Sequence, residues 1–158
     1  MPCNSLSINL GTRGRPALVL QTLQRTLPNI QHPHTRLMVS VDDDDQATID
    51  GLSTFAASNV LISIEPREDS LGEKYNRVLT KMPGDCYLAM VDYAPHITPG
   101  FDKKILAAAS LFPDGIGVVY NHMANASFPQ INVVTAKMAE LMGGMYPPYF
   151  PYWFVDHW

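Results

Sequence analysis

Apolar residues come in short runs along this chain, and most runs are stopped by a glycine, a proline or an acid. Residues 6–10, 36–41, 60–65, 87–91 and 115–120 each have the length and content of a buried strand. Between them lie segments in which leucines and alanines recur at helical spacing, so a helix is expected after each strand. Residues 17–27 carry Leu18, Leu20, Leu23 and Leu27, begin just after Pro16 and stop at Pro28. Residues 46–57 follow a run of aspartates, and residues 71–81 follow Ser70 with Glu73 three positions on, a capping-box pattern. Residues 101–112 and 133–142 complete the helical set, the last ended by Gly143-Gly144. Strand and helix in alternation predict one α/β domain, Rossmann-like, with a mostly parallel central sheet flanked by helices.

Composition narrows the classes. With 158 residues, 46% of them hydrophobic and only 16% charged, the chain has material for one sizeable core and is not a disordered or rod-like protein. The formal charge of -4 and the scatter of basic residues lack the electrostatic footprint of a nucleic-acid binder. Cys3 and Cys86 form neither a disulfide framework nor a zinc pattern, and Cys86 falls inside an expected strand, as an inert buried thiol. No apolar run reaches membrane-spanning length and no secretory leader is evident, so a soluble, cytoplasmic protein is expected.

The polar residues at strand ends carry the candidate chemistry. In open α/β sheets, ligands collect beyond the carboxyl ends of the strands. Asp92 ends the run 87–91 there, before a loop broken by Pro95, Pro99 and Gly100. Gly11–Arg15 ends the first strand with two arginines, Arg13 and Arg15. Asp42, Asp43, Asp44 and Asp45 end the second. The latter two suit capping of the next helix; Asp42 and Asp43 are better placed for a ligand's hydroxyls or base edge. Gly72 and Asn76 share one face of the third helix and Lys74 another. The segment 145–158 is crowded with aromatic residues and prolines, as a lid or the wall of a binding site, and holds Asp156 and His157.

The order of these motifs resembles the inverting GT-A glycosyltransferases of family 2: residues 7–15 before a helix, Val41-Asp42-Asp43 with Asp45 and Thr48, Gly72 to Asn76, then residues 87–92 with Thr98-Pro99-Gly100-Phe101. The resemblance covers nearly the whole chain and rests on order and spacing. It implies a single nucleotide-sugar-binding domain that moves a sugar from a nucleotide diphosphate donor to an acceptor hydroxyl. Thr12 and Arg13 would meet the nucleotide, Asp42 and Asp43 the nucleoside, and Gly72, Lys74 and Asn76 would lie along it. Asp92 would contact donor and metal, His157 would be a late metal or phosphate contact, and Asp156 the catalytic base. A weakly held Mn or Mg ion is the implied cofactor, and a sugar nucleotide and an unidentified acceptor are the implied partners. Two departures stand out: Ala94 replaces the second acid of the metal motif, and the sequence stops soon after Asp156, as in a short or truncated member. A catalytically idle nucleotide-binding or interaction domain of the same fold is the alternative.

Overall fold

The computed structural model describes residues 3–120 and 132–146. It is a single α/β layer structure around a six-stranded sheet in the order β3-β2-β1-β4-β6-β5. The strands are β1 (Leu6–Gly11), β2 (Thr35–Asp42), β3 (Val60–Glu65), β4 (Cys86–Val91), β5 (Val118–Tyr120) and β6 (Asn132–Thr135). The helices are α1 (Pro16–Thr26), α2 (Gln46–Leu52), α3 (Leu71–Lys81), α4 (Phe101–Ala109) and α5 (Ala136–Met142). β3, β2, β1 and β4 are parallel; β6 runs antiparallel between β4 and β5.

Strand parity sorts the core into two layers. Leu6, Ile8 and Leu10 of β1 and Cys86, Leu88 and Met90 of β4 face one side, packed with Val19 and Leu23 of α1, Leu52 of α2 and Phe101 and Leu106 of α4. Tyr87 and Ala89 face the other side, against Tyr75 and Val78 of α3 and Ala139 of α5. Parallel crossovers are right-handed, so a chain that reverses its direction of travel across the sheet must change faces. Travel from β1 to β2 to β3 carries α1 and α2 on the first face. The return from β3 to β4 carries α3 on the second.

Several boundaries differ from the sequence expectation. Residues 132–135 form β6, and only Ala136–Met142 is helical. The β-branched Val133, Val134 and Thr135 favour a strand, and the Thr135 hydroxyl caps α5 by accepting from the Met138 amide. α2 ends at Leu52, ahead of the expected 57. There Gly51 sits against Pro16 so closely that a Cβ would lie 2.6 Å from the proline's own. α4 stops at Ala109, where the Ser110 hydroxyl donates back to the Leu106 carbonyl. The capping box is present: the Ser70 hydroxyl accepts from the Glu73 amide at 3.1 Å. No helix among the described residues is long and apolar enough to cross a membrane.

Candidate functional site

β1 and β4 lie side by side where the strand order turns back, the position at which an open α/β sheet leaves a crevice beyond its strand ends. The loop after β1 supplies most of what lines it. Gly11 lets α3 come close, since a Cβ there would meet the Tyr75 ring at 3.2 Å. Gly14 takes a left-handed φ of 66° and its amide donates to Asp45 at 2.6 Å. Asp45 also caps α2 through the Thr48 amide. Burial pushes the Asp45 carboxyl upward, but hydrogen bonds from the Thr48 side chain and from the Gly14 and Thr48 amides leave it below its ordinary value. Thus one aspartate ties the first loop to the second.

Two further acids are bound into the same network. Asp42 is 2% exposed at the end of β2 and is flanked by Lys74 Nζ at 2.6 Å and Arg13 Nη1 at 2.8 Å. Lys74 Nζ also donates to the Thr12 carbonyl at 3.1 Å. Arg13 bridges on to Asp44; hydrogen bonds to Asp44 and Asp42 raise its guanidinium above the usual arginine value, and the same contact holds Asp44 below its own. Asp92, with no exposed surface, accepts from the Thr12 hydroxyl at 2.7 Å and pairs with Arg15 Nε at 2.9 Å. Its carbonyl accepts from the Thr22 hydroxyl of α1. Asn9, buried in β1, donates to the Lys74 and Tyr75 carbonyls at 2.8 and 3.0 Å and accepts from Ser40 at 2.7 Å. It fixes α3, and with it Lys74, to the sheet.

These groups surround a cavity of about 280 Å³ lined by Gly11, Thr12, Arg13, Arg15, Asp42, Arg67, Glu68, Ser70, Leu71 and Lys74. Arg77 stands behind the lining residue Glu68: it holds Glu68 at 2.7 Å and donates to the Val41 carbonyl near the end of β2 and the Ser63 carbonyl within β3. A second hollow, about 330 Å³, lies between α4 and the β5–β6 edge, with mainly apolar walls and Lys104 as its one charged lining residue among those described. The chemistry is gathered at the first.

Of the residues expected from sequence, Thr12, Arg13, Asp42 and Lys74 line this cavity, and Asp92 touches two of its lining residues from behind. Asp43 is exposed beside it, its amide donating to the Glu65 carbonyl. Gly72 is buried in the first turn of α3. Asn76 points elsewhere: its amide group donates to the Tyr146 carbonyl at 2.7 Å and accepts from the Met145 and Tyr146 amides at 2.7 and 3.1 Å. Asp156 and His157 lie outside the described residues. Arg15 is the chief addition. Its signal in the sequence was Pro16, which starts α1 and leaves the preceding residue at the helix mouth.

The implied divalent ion fits this arrangement poorly. Mg and Mn sites need several oxygen donors in fixed geometry. Among the described residues no three His, Cys, Asp or Glu side chains come together. One Asp92 oxygen accepts from Thr12 and is ion-paired with Arg15; the other is buried with no hydrogen-bond partner among the described residues. Among the described residues that single atom, with Ala94 two positions on, is what Asp92 offers an ion.

No protein-family model matches the chain. No curated protein matches it by sequence. Solved structures do match by fold. The mannosyltransferase PcManGT from Pyrobaculum calidifontis, in complex with GDP-Man and Mn2+, superposes with a TM-score of 0.70 at 13% identity, over 94% of this chain and 50% of that one. S. aureus TarS in complex with UDP-GlcNAc gives 0.63 at 14% identity, over 90% of this chain and 48% of that one. A CMP:2-keto-3-deoxy-manno-octonic acid synthetase complexed with CTP gives 0.64 at 14% identity, over 93% and 80%. The fold is therefore that of GT-A-like glycosyltransferases and cytidylyltransferases. The chain spans about half the length of the two glycosyltransferases.

Proposed function

We propose that this chain binds a sugar nucleotide in the cavity beyond β1 and β2 and transfers the sugar to an acceptor hydroxyl with inversion, as a member of the family 2 group. One observation carries the reading: Asp42 and Asp92, at the ends of separate strands, are joined through Lys74, Thr12 and Arg15 around a single hollow. A buried carboxylate at the end of β2 accepts hydrogen bonds from a base edge or ribose. The guanidinium and ammonium groups of Arg13, Arg15 and Lys74 face the charge of a diphosphate.

In the reaction the acceptor oxygen attacks the anomeric carbon from the face opposite the diphosphate. The bond from that carbon to the β-phosphate oxygen breaks, its electron pair stays on the oxygen, and the nucleoside diphosphate leaves. The hydroxyl proton passes to the Asp156 carboxylate. Positioned base catalysis contributes about 10²–10⁴ in rate, and preorganised charge at the leaving group commonly more.

The test uses sugar nucleotides with UDP, GDP and CDP leaving groups and follows release of the nucleoside diphosphate, with the anomer of the product read by NMR. Asp156→Asn is expected to lower turnover at least about a hundredfold with nucleotide affinity unchanged. Equal turnover removes Asp156 from the reaction, and a product of retained configuration removes the single displacement. Binding without turnover of any donor favours the second reading, an idle nucleotide-binding domain, which Ala94 supports.

A further inference from the structure

We infer that Arg15 supplies the positive charge that a divalent ion would otherwise bring to the diphosphate, so that donor binding by this chain is independent of metal. The inference rests on the sugar-nucleotide reading and concerns how the same cavity holds its ligand. Asp92 is the acid from which a metal would hang, but its Oδ2 already accepts from Thr12 and faces Arg15 Nε at 2.9 Å. Like charges at this separation repel, and a divalent ion feels twice the repulsion of a monovalent one. A metal at Asp92 would meet that repulsion from Arg15 with, among the described residues, one unengaged carboxylate oxygen to hold it.

The guanidinium is also oriented for the task. Pairing through Nε leaves Nη1 and Nη2, which make no hydrogen bond among the described residues, on a side chain that lines the cavity. Two parallel N–H groups are the fork that matches two oxygens of a phosphate. Asp92 is then a positioning residue: buried, fixed at its carbonyl by Thr22 and at its carboxylate by Thr12, it aims Arg15. Arg13 and Lys74 are both engaged by Asp42 at the end of β2, whereas Arg15 is held by Asp92 at the end of β4.

Titration calorimetry of UDP, GDP and CDP against the full chain decides the matter, in EDTA and again with Mn2+. The tightest of the three is expected to bind with the same Kd, within about twofold, in both conditions. Arg15→Gln is expected to weaken it by about tenfold or more, as loss of a charged hydrogen bond does, with Arg15→Lys in between because an ammonium lacks the fork. Binding abolished by EDTA and restored by Mn2+ in the unaltered chain overturns the inference while leaving the transferase reading in place. So does metal-independent binding that Arg15→Gln leaves unchanged in a variant with unaltered circular dichroism. If none of the three nucleotides binds in either condition, the sugar-nucleotide reading itself falls, and this inference with it. The EDTA comparison needs no substitution, so a variant that fails to fold does not blunt it.

Discussion

Lys74 Nζ reaches the ends of two strands at once, 2.6 Å from the Asp42 carboxylate and 3.1 Å from the Thr12 carbonyl, with its side chain only 9% exposed. A lysine so enclosed has lost most of its hydration, and the carboxylate is what offsets that loss. Lys74→Met keeps the length of the stem but leaves Asp42 with Arg13 alone and the Thr12 carbonyl without its donor. Breaking a buried pair from one side costs about 3–5 kcal/mol, and the lower end applies because Arg13 remains. Urea denaturation is expected to show a loss of about 3 kcal/mol, and nucleotide titration a loss of about tenfold or more in affinity. A variant as stable as the parent would mean that this ion pair contributes nothing net. Asp42 and Asp92 were legible in sequence because each directly follows an apolar run. Arg15 was visible as a loop cation but not as a partner of Asp92, since the pairing spans two strands and depends on their parallel register.

α3 is the element that joins the cavity to the remainder of the chain. Its buried face carries Lys74 toward the strand ends, while Asn76 holds the main chain at Met145 and Tyr146 with three hydrogen bonds of 2.7, 2.7 and 3.1 Å. Asn76→Ala removes them together. At about 1 kcal/mol each, the expected loss is about 2–3 kcal/mol, with hydrogen-exchange protection of the Met145 and Tyr146 amides falling while that of β1 and β4 persists. If those two amides stay protected, Asn76 is not their anchor. The sequence spacing that paired Gly72 with Asn76 located the helix correctly but did not reveal what the asparagine faces. Its partners lie about seventy residues away, beyond the reach of local pattern. β6 shows a related limit. Four residues are too few to separate strand from helix by periodicity, and antiparallel insertion between β4 and β5 is a non-local choice. α3 itself was legible because its start is written locally in Ser70 and Glu73.

For the molecule as a whole, the sheet order places the ends of β2, β1 and β4 along one rim, so loops distant in sequence meet around one cavity. The rim holds Arg13, Arg15 and Lys74 against Asp42 and Asp92, and a diphosphate entering it would add negative charge where cations line the wall. Binding must then stabilise the native state by mass action. A ligand at about 100 times its Kd contributes about 2.7 kcal/mol, and for a domain of this size each kcal/mol moves the midpoint by about 2–4 °C. A thermal melt with saturating UDP, GDP or CDP is therefore expected to rise by about 5–10 °C for the preferred base. The matching nucleoside monophosphate should give less, because it brings one phosphate group fewer to the three cations, and high salt should shrink the difference between them. Lys74→Met, weakening the nucleotide about tenfold, should take away about half of the rise while leaving a cooperative transition. If monophosphate and diphosphate shift the midpoint equally at all salt concentrations, the cations on this rim are not reading a diphosphate, and their role is confined to holding Asp42 and Asp92 in place.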